Sequence, residues 1–125
     1  MVMGAMKISQ VISLASLVPA AIPASATSTM CVFEGSSDSS SYNIEFIGYG
    51  EVSAIHMNLP AGPRNLPEGS YKVIQFDRRG GKIELEYRNP GDPSLPPSFA
   101  LKGRRNDVRM TIGNERIMGT LSCDF

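Results

Sequence analysis

The chain has 125 residues, with 12 basic and 12 acidic side chains, a single histidine, two cysteines and no tryptophan. Balanced charge excludes a nucleic-acid footprint and a polybasic membrane patch. One histidine and two widely spaced cysteines exclude a zinc ligand set and a CxxC redox motif.

Residues 1–26 read as a signal peptide. Lys7 supplies a positive start, residues 8–22 an apolar stretch, and Ala24-Ser25-Ala26 a cleavage site of the A-x-A kind. Met6 is an alternative initiator. Ser9, Gln10, Ser13, Ser16 and Pro19 break the apolar stretch, which is too short to span a bilayer. Lipidation at Cys31 is disfavoured, because Ser28-Thr29-Met30 is the wrong context. Residues 27–125 are then expected to form one soluble domain in the periplasm or outside the cell. No Asn-x-Ser/Thr sequon occurs.

Residues 30–34 (MCVFE) read as a strand with Cys31 and Phe33 on one face, followed by a flexible polar loop, 35–41 (GSSDSSS). Residues 42–47 and 51–59 alternate as the second and third strands around a Gly48-Tyr49-Gly50 turn. The ten residues 60–69 (PAGPRNLPEG) hold three prolines, which excludes a central strand there. Residues 70–76 are extended with imperfect alternation, so a bulge is expected. After the glycine-ended turn 77–81, residues 82–88 (KIELEYR) give the cleanest alternation, with Ile83, Leu85 and Tyr87 facing in. A second loop, 89–97, carries four prolines. Strands at 98–102, 108–112 and 116–125 follow. In the last, Ile117, Leu121, Cys123 and Phe125 share one face.

About eight short strands at roughly 8–12-residue spacing predict an all-β antiparallel barrel, with a sandwich as the alternative. Two cysteines in an exported chain predict the disulfide Cys31–Cys123. It ties the first strand to the last, which barrel closure would make neighbours. Closing a loop of about 90 residues stabilises by roughly 4–5 kcal/mol through lost chain entropy.

Chemistry-bearing patterns are sparse. Glu84 and Glu86 are the nearest thing to a hydrolase acid/base pair, but at i, i+2 between Lys82 and Arg88 they read more simply as a solvated strand face. His56 has no nucleophile in a recognisable setting. Asp38 and Asp92 are isolated, so no calcium loop is expected. No cofactor, metal or catalytic residue is predicted. Tyr42, Phe46, Tyr71, Phe76, Tyr87 and Phe99 could line a carrier's cavity, but a domain of this size needs them as core.

The arginines are the stronger signal. Arg78-Arg79 and Arg104-Arg105 sit at hairpin tips, and Arg64 lies in the first proline loop. Guanidinium at a loop tip suits bidentate recognition of carboxylates. Proline-stiffened loops lower the ordering cost of binding. Expected function is therefore an exported, non-catalytic binding protein, of the inhibitor or immunity type, whose partner is an envelope or secreted enzyme. A calycin-like small-ligand carrier and a small hydrolase are the alternatives. In its leader, its length, its eight short strands and its terminal disulfide, the chain resembles the exported small-barrel lysozyme inhibitors of bacteria. Glu68-Gly69-Ser70-Tyr71 is a faint echo of a Ser/Gly loop followed by tyrosine, on which no inhibitory role is placed.

Overall fold

A computed structural model describes residues 28–123. The proposed leader, 1–26, and Phe125 lie outside the described residues. The described chain forms nine strands: β1 (Ser28–Ser36), β2 (Ser41–Gly48), β3 (Val52–Leu59), β4 (Gly62–Asn65), β5 (Tyr71–Asp77), β6 (Lys82–Tyr87), β7 (Phe99–Arg104), β8 (Asp107–Ile112) and β9 (Glu115–Ser122). They make one antiparallel sheet in the order β4-β3-β2-β1-β9-β8-β7-β6-β5. Among the described residues there is no helix.

The all-β class and the disulfide agree with expectation, but the closed barrel does not. The sheet is a curled half-barrel with β4 and β5 as its two edges. Closure would need β4 to pair with β5. Pro63 gives β4 no N–H at one of its four positions, and Ile74 bulges out of β5. Both devices also protect an edge from unwanted pairing. The curl is nonetheless tight. Connection 66–70 runs from one edge to the other, and the six steps from Asn65 to Tyr71 reach about 20 Å at most. The ring of Phe46 on β2 meets Phe76 on β5 at 6.1 Å across the interior.

The strand faces follow the sequence pattern closely. Ile83, Leu85 and Tyr87 are buried, as are Val108, Met110 and Ile112. The bulge expected in 70–76 falls between Val73 and Gln75. A second bulge, between Thr29 and Cys31, lets Met30 and Cys31 both point inward. The ninth strand, β4, arises inside the proline loop, where a short edge strand tolerates Pro63. Polar residues 35–36 extend β1 rather than beginning a loop, so the turn shrinks to 37–40, closed by Ser37 N–H donating to Ser40 O at 2.7 Å. Gly35 joins the strand because the ring of Phe33 lies over it: a Cβ there would stand 2.8 Å from Phe33 Cζ. Gly119, its register partner on β9, is covered by the same ring.

Antiparallel pairing sends the connections alternately to two ends of the sheet. One, the cysteine end, carries 49–51, 78–81, 105–106 and the disulfide; the other, the proline end, carries 37–40, 60–61, 88–98 and 113–114.

Candidate functional site

The arginine-bearing tips meet at the cysteine end. Turn 77–81 is set by Asp77, whose Oδ1 accepts the N–H groups of Arg79 at 3.1 Å and Gly80 at 3.2 Å. That Asx turn carries Arg78, half-buried, and Arg79, exposed. The neighbouring tip turns through Arg105, the one non-glycine residue with positive φ (52°) among those described. A left-handed arginine costs on the order of 1–3 kcal/mol. Three hydrogen bonds hold it there. Its N–H donates to Gly81 O at 2.8 Å, its Nε–H to Gly80 O at 3.1 Å, and its carbonyl accepts from Leu121 N–H at 2.7 Å. Arg105 thus fastens the two tips to each other and both to the end of β9.

Between them opens a cleft of about 610 Å³. Arg78, Arg79 and Arg105 form its walls with Asn106, while Leu121, Ser122 and Cys123 form its floor. Three arginines, an asparagine and a serine are among the described residues that line it, and none of those described is Asp or Glu. Guanidinium is a group that can grip a carboxylate with two parallel hydrogen bonds.

The predicted arginines divide. Arg78, Arg79 and Arg105 converge. Arg104, exposed at the end of β7, stands opposite Lys82 and Asp107 and does not line the cleft. Arg64 lies on the far edge strand β4, where its Nη1 donates to Pro63 O at 2.9 Å. Sequence reading missed the floor: Cys123 was assigned only a structural pairing, although it lines the cleft. The convergence of the tips was available from parity, since alternate hairpins of an antiparallel meander emerge at one end.

The Cys31–Cys123 disulfide crosses between β1 and β9, next to the register pair Val32–Ser122. Cys31 is fully buried and Cys123 partly exposed. Such a bond is consistent with an oxidising extracellular or periplasmic location.

The proline end has its own open cleft of about 690 Å³, reached by Tyr71, Tyr87 and Phe99 together with Lys72, Glu86 and Arg88. Loop 88–98 beside it is held by Asn89. Its Nδ2 donates to Asp92 O at 3.0 Å and Pro96 O at 2.9 Å, and its Oδ1 accepts from the N–H groups of Gly91 and Asp92. Tyr87 Oη donates to Pro96 O at 2.9 Å, and the Tyr87 ring lies against Phe99, tilted by 39° with ring centres 4.9 Å apart. Burial, then the charge of Glu68, raises the Tyr71 phenol above its ordinary pKa; burial, then Asp92, does the same for Tyr87. Asp92 is held below the usual carboxylate value by the Ser94 hydroxyl and N–H, with Arg64 adding to the effect.

Glu84 and Glu86 lie on the outer face of β6, while His56 sits on β3 and hydrogen-bonds Asn65 Oδ1 of β4 at 2.8 Å, toward the opposite edge of the sheet. The two glutamates line one shallow hollow with Lys102 and Arg109, and His56 is not part of it. Among the described residues no group of three or more His, Cys, Asp or Glu could hold a metal ion.

Neither family models, nor curated proteins, nor solved structures give a match to this chain.

Proposed function

We propose that this chain is an exported, non-catalytic binding protein that grips an acidic protein surface in the arginine cleft, as an inhibitor or immunity-type protein does with an envelope or secreted enzyme. The observation that carries this reading is the convergence of Arg78, Arg79 and Arg105 on one cleft. Arginine is a residue type that dominates binding energy at protein interfaces. The tips are pre-set by hydrogen bonds, which reduces the ordering lost on association. Overall charge balance favours a local acidic patch over a polyanion such as nucleic acid.

The test is retention of envelope and culture-supernatant proteins on immobilised oxidised protein, with salt elution and quantitative mass spectrometry. A partner kept by the wild type and by Arg64→Glu, but lost by Arg79→Glu/Arg105→Glu, is the expected result. Equal retention by all three proteins overturns the assignment to this cleft. The proline-end cleft supports a second reading, a small-ligand carrier, because about 690 Å³ with three aromatic residues is room for a small molecule. A compound co-purifying in the native mass spectrum and displaced by Tyr71→Ala would favour that reading.

A further inference from the structure

We propose that the Cys31–Cys123 disulfide gates the arginine cleft, so that the cleft takes carboxylates only in the oxidised chain. The inference rests on the reading of the cleft as a binding site and adds its regulation.

The end of β9 is the connecting part. Its ladder with β8 stops at Val108–Gly119, so Thr120, Leu121 and Ser122 run on past the end of that partner. On one side these residues pair with β1 and are stapled by the disulfide. On the other, Leu121 N–H donates to the Arg105 carbonyl. Arg105 holds a backbone conformation unfavourable to any L residue with a side chain. It keeps that conformation because its neighbours fix both its N–H and its carbonyl. The same residue reaches Gly80 and Gly81 and so sets the position of Arg78 and Arg79.

Reduction removes the staple. A dithiol gives up two electrons and two protons, the S–S bond breaks to two thiols, and the dithiol closes to its own disulfide. The β1–β9 pairs Glu34–Thr120 and Gly35–Gly119 and the buried Phe33 ring remain, so the sheet stays assembled. Residues 121–123 then fray at the cleft floor. The Arg105 carbonyl loses its donor, the turn relaxes toward a less costly conformation, and the two arginine tips part. A chain still carrying thiols does not engage its acidic partner.

The experiment uses a hexaglutamate peptide as probe, hexalysine as control, and the protein oxidised or reduced by excess dithiothreitol. Backbone order is followed by amide hydrogen exchange. Oxidised protein is expected to bind hexaglutamate and to lose that binding in Arg79→Glu/Arg105→Gly; glycine accepts the left-handed turn. Reduced protein is expected to bind at least about tenfold more weakly, and by reciprocity saturating peptide makes the disulfide about as many fold harder to reduce. Leu121 and Arg105 amides should exchange faster on reduction, while Met110 and Ile117 stay protected. Equal affinity in both redox states overturns the gate and leaves the cleft standing. Failure of the oxidised protein to bind, or binding that survives the arginine substitutions, overturns the cleft and the gate with it. Loss of protection at Met110 and Ile117 together with Leu121 overturns the local mechanism, because the whole sheet has then opened.

Discussion

Gly119→Ala tests how closely β1 and β9 approach. Gly119 pairs with Gly35, and a Cβ on Gly119 would lie 2.7 Å from Phe33 Cε1 and 2.8 Å from Gly35 Cα, with Glu34 O nearer still. Ordinary carbon contacts are near 3.5–4.0 Å. Relief needs either the Phe33 ring to leave its rotamer or the strands to part, and the disulfide resists the second. Overpacking of this kind costs about 1–3 kcal/mol, and more when backbone is the obstacle, so about 3 kcal/mol is expected here. Against a total of about 5–15 kcal/mol this is a large fraction. For a domain of about 100 residues it lowers Tm by roughly 10–25 °C. Urea unfolding followed by circular dichroism gives the number. Phe33→Leu in the same background should recover part of the loss, about 1 kcal/mol of coupling in a double-mutant cycle. The recovery is partial because Glu34 O remains in the way. A Gly119→Ala protein within about 0.5 kcal/mol of wild type, the scatter of ordinary surface changes, would refute the close-approach argument.

Replacing both cysteines by alanine should lower stability by about 4–5 kcal/mol, from the loss of a loop spanning 92 residues, measured by urea unfolding at low temperature. Asn89→Ala should cost about 1–2 kcal/mol and speed amide exchange at Gly91 and Asp92, whose N–H groups lose their acceptor. Ultraviolet titration should show Tyr71 and Tyr87 ionising above the usual phenol value of 10.0. The fold favours their neutral forms, so the stability they contribute is intact below that value and is lost as pH climbs through the raised ones. Asp92 should titrate below the ordinary 3.8, and Ser94→Ala should move it upward; its contribution is present above the ordinary value and disappears as pH falls through the lowered one.

Strand identity was legible wherever a strand has one wet face. Ile83-Glu84-Leu85-Glu86-Tyr87 declares both its state and its orientation, and so does 108–112. The Val73–Gln75 bulge was legible as a fault in alternation. Strand β4 was hidden because Gly62-Pro63-Arg64-Asn65 has turn composition, and only the edge of a sheet admits it. Barrel closure was overread from the disulfide. Among the described strands the first and the last are neighbours in the middle of the sheet, although its edges do not pair. For the cleft, Arg78, Arg79 and Arg105 were visible as tip residues, whereas their common floor depends on β9 running past β8. No local pattern in Thr120-Leu121-Ser122 announces that overrun.

Chain order and sheet order differ at one place. Strands β1 to β4 form one run of hairpins and β5 to β9 another, and among the described strands β1–β9 is the single pairing between the two runs. Hairpins close on a timescale of about 1–10 μs, whereas a contact across most of the chain waits on the entropy of a long loop. Two separately curling ribbons therefore come first, and docking along β1 and β9 follows as the slow event that sets the folding rate. Phe33, Gly35 and Gly119 lie in that joint, so substitutions there should slow refolding, while substitutions within β6 and β7 should mainly hasten unfolding. The cysteines mark the same joint, and oxidation seals the step of assembly that the chain reaches last.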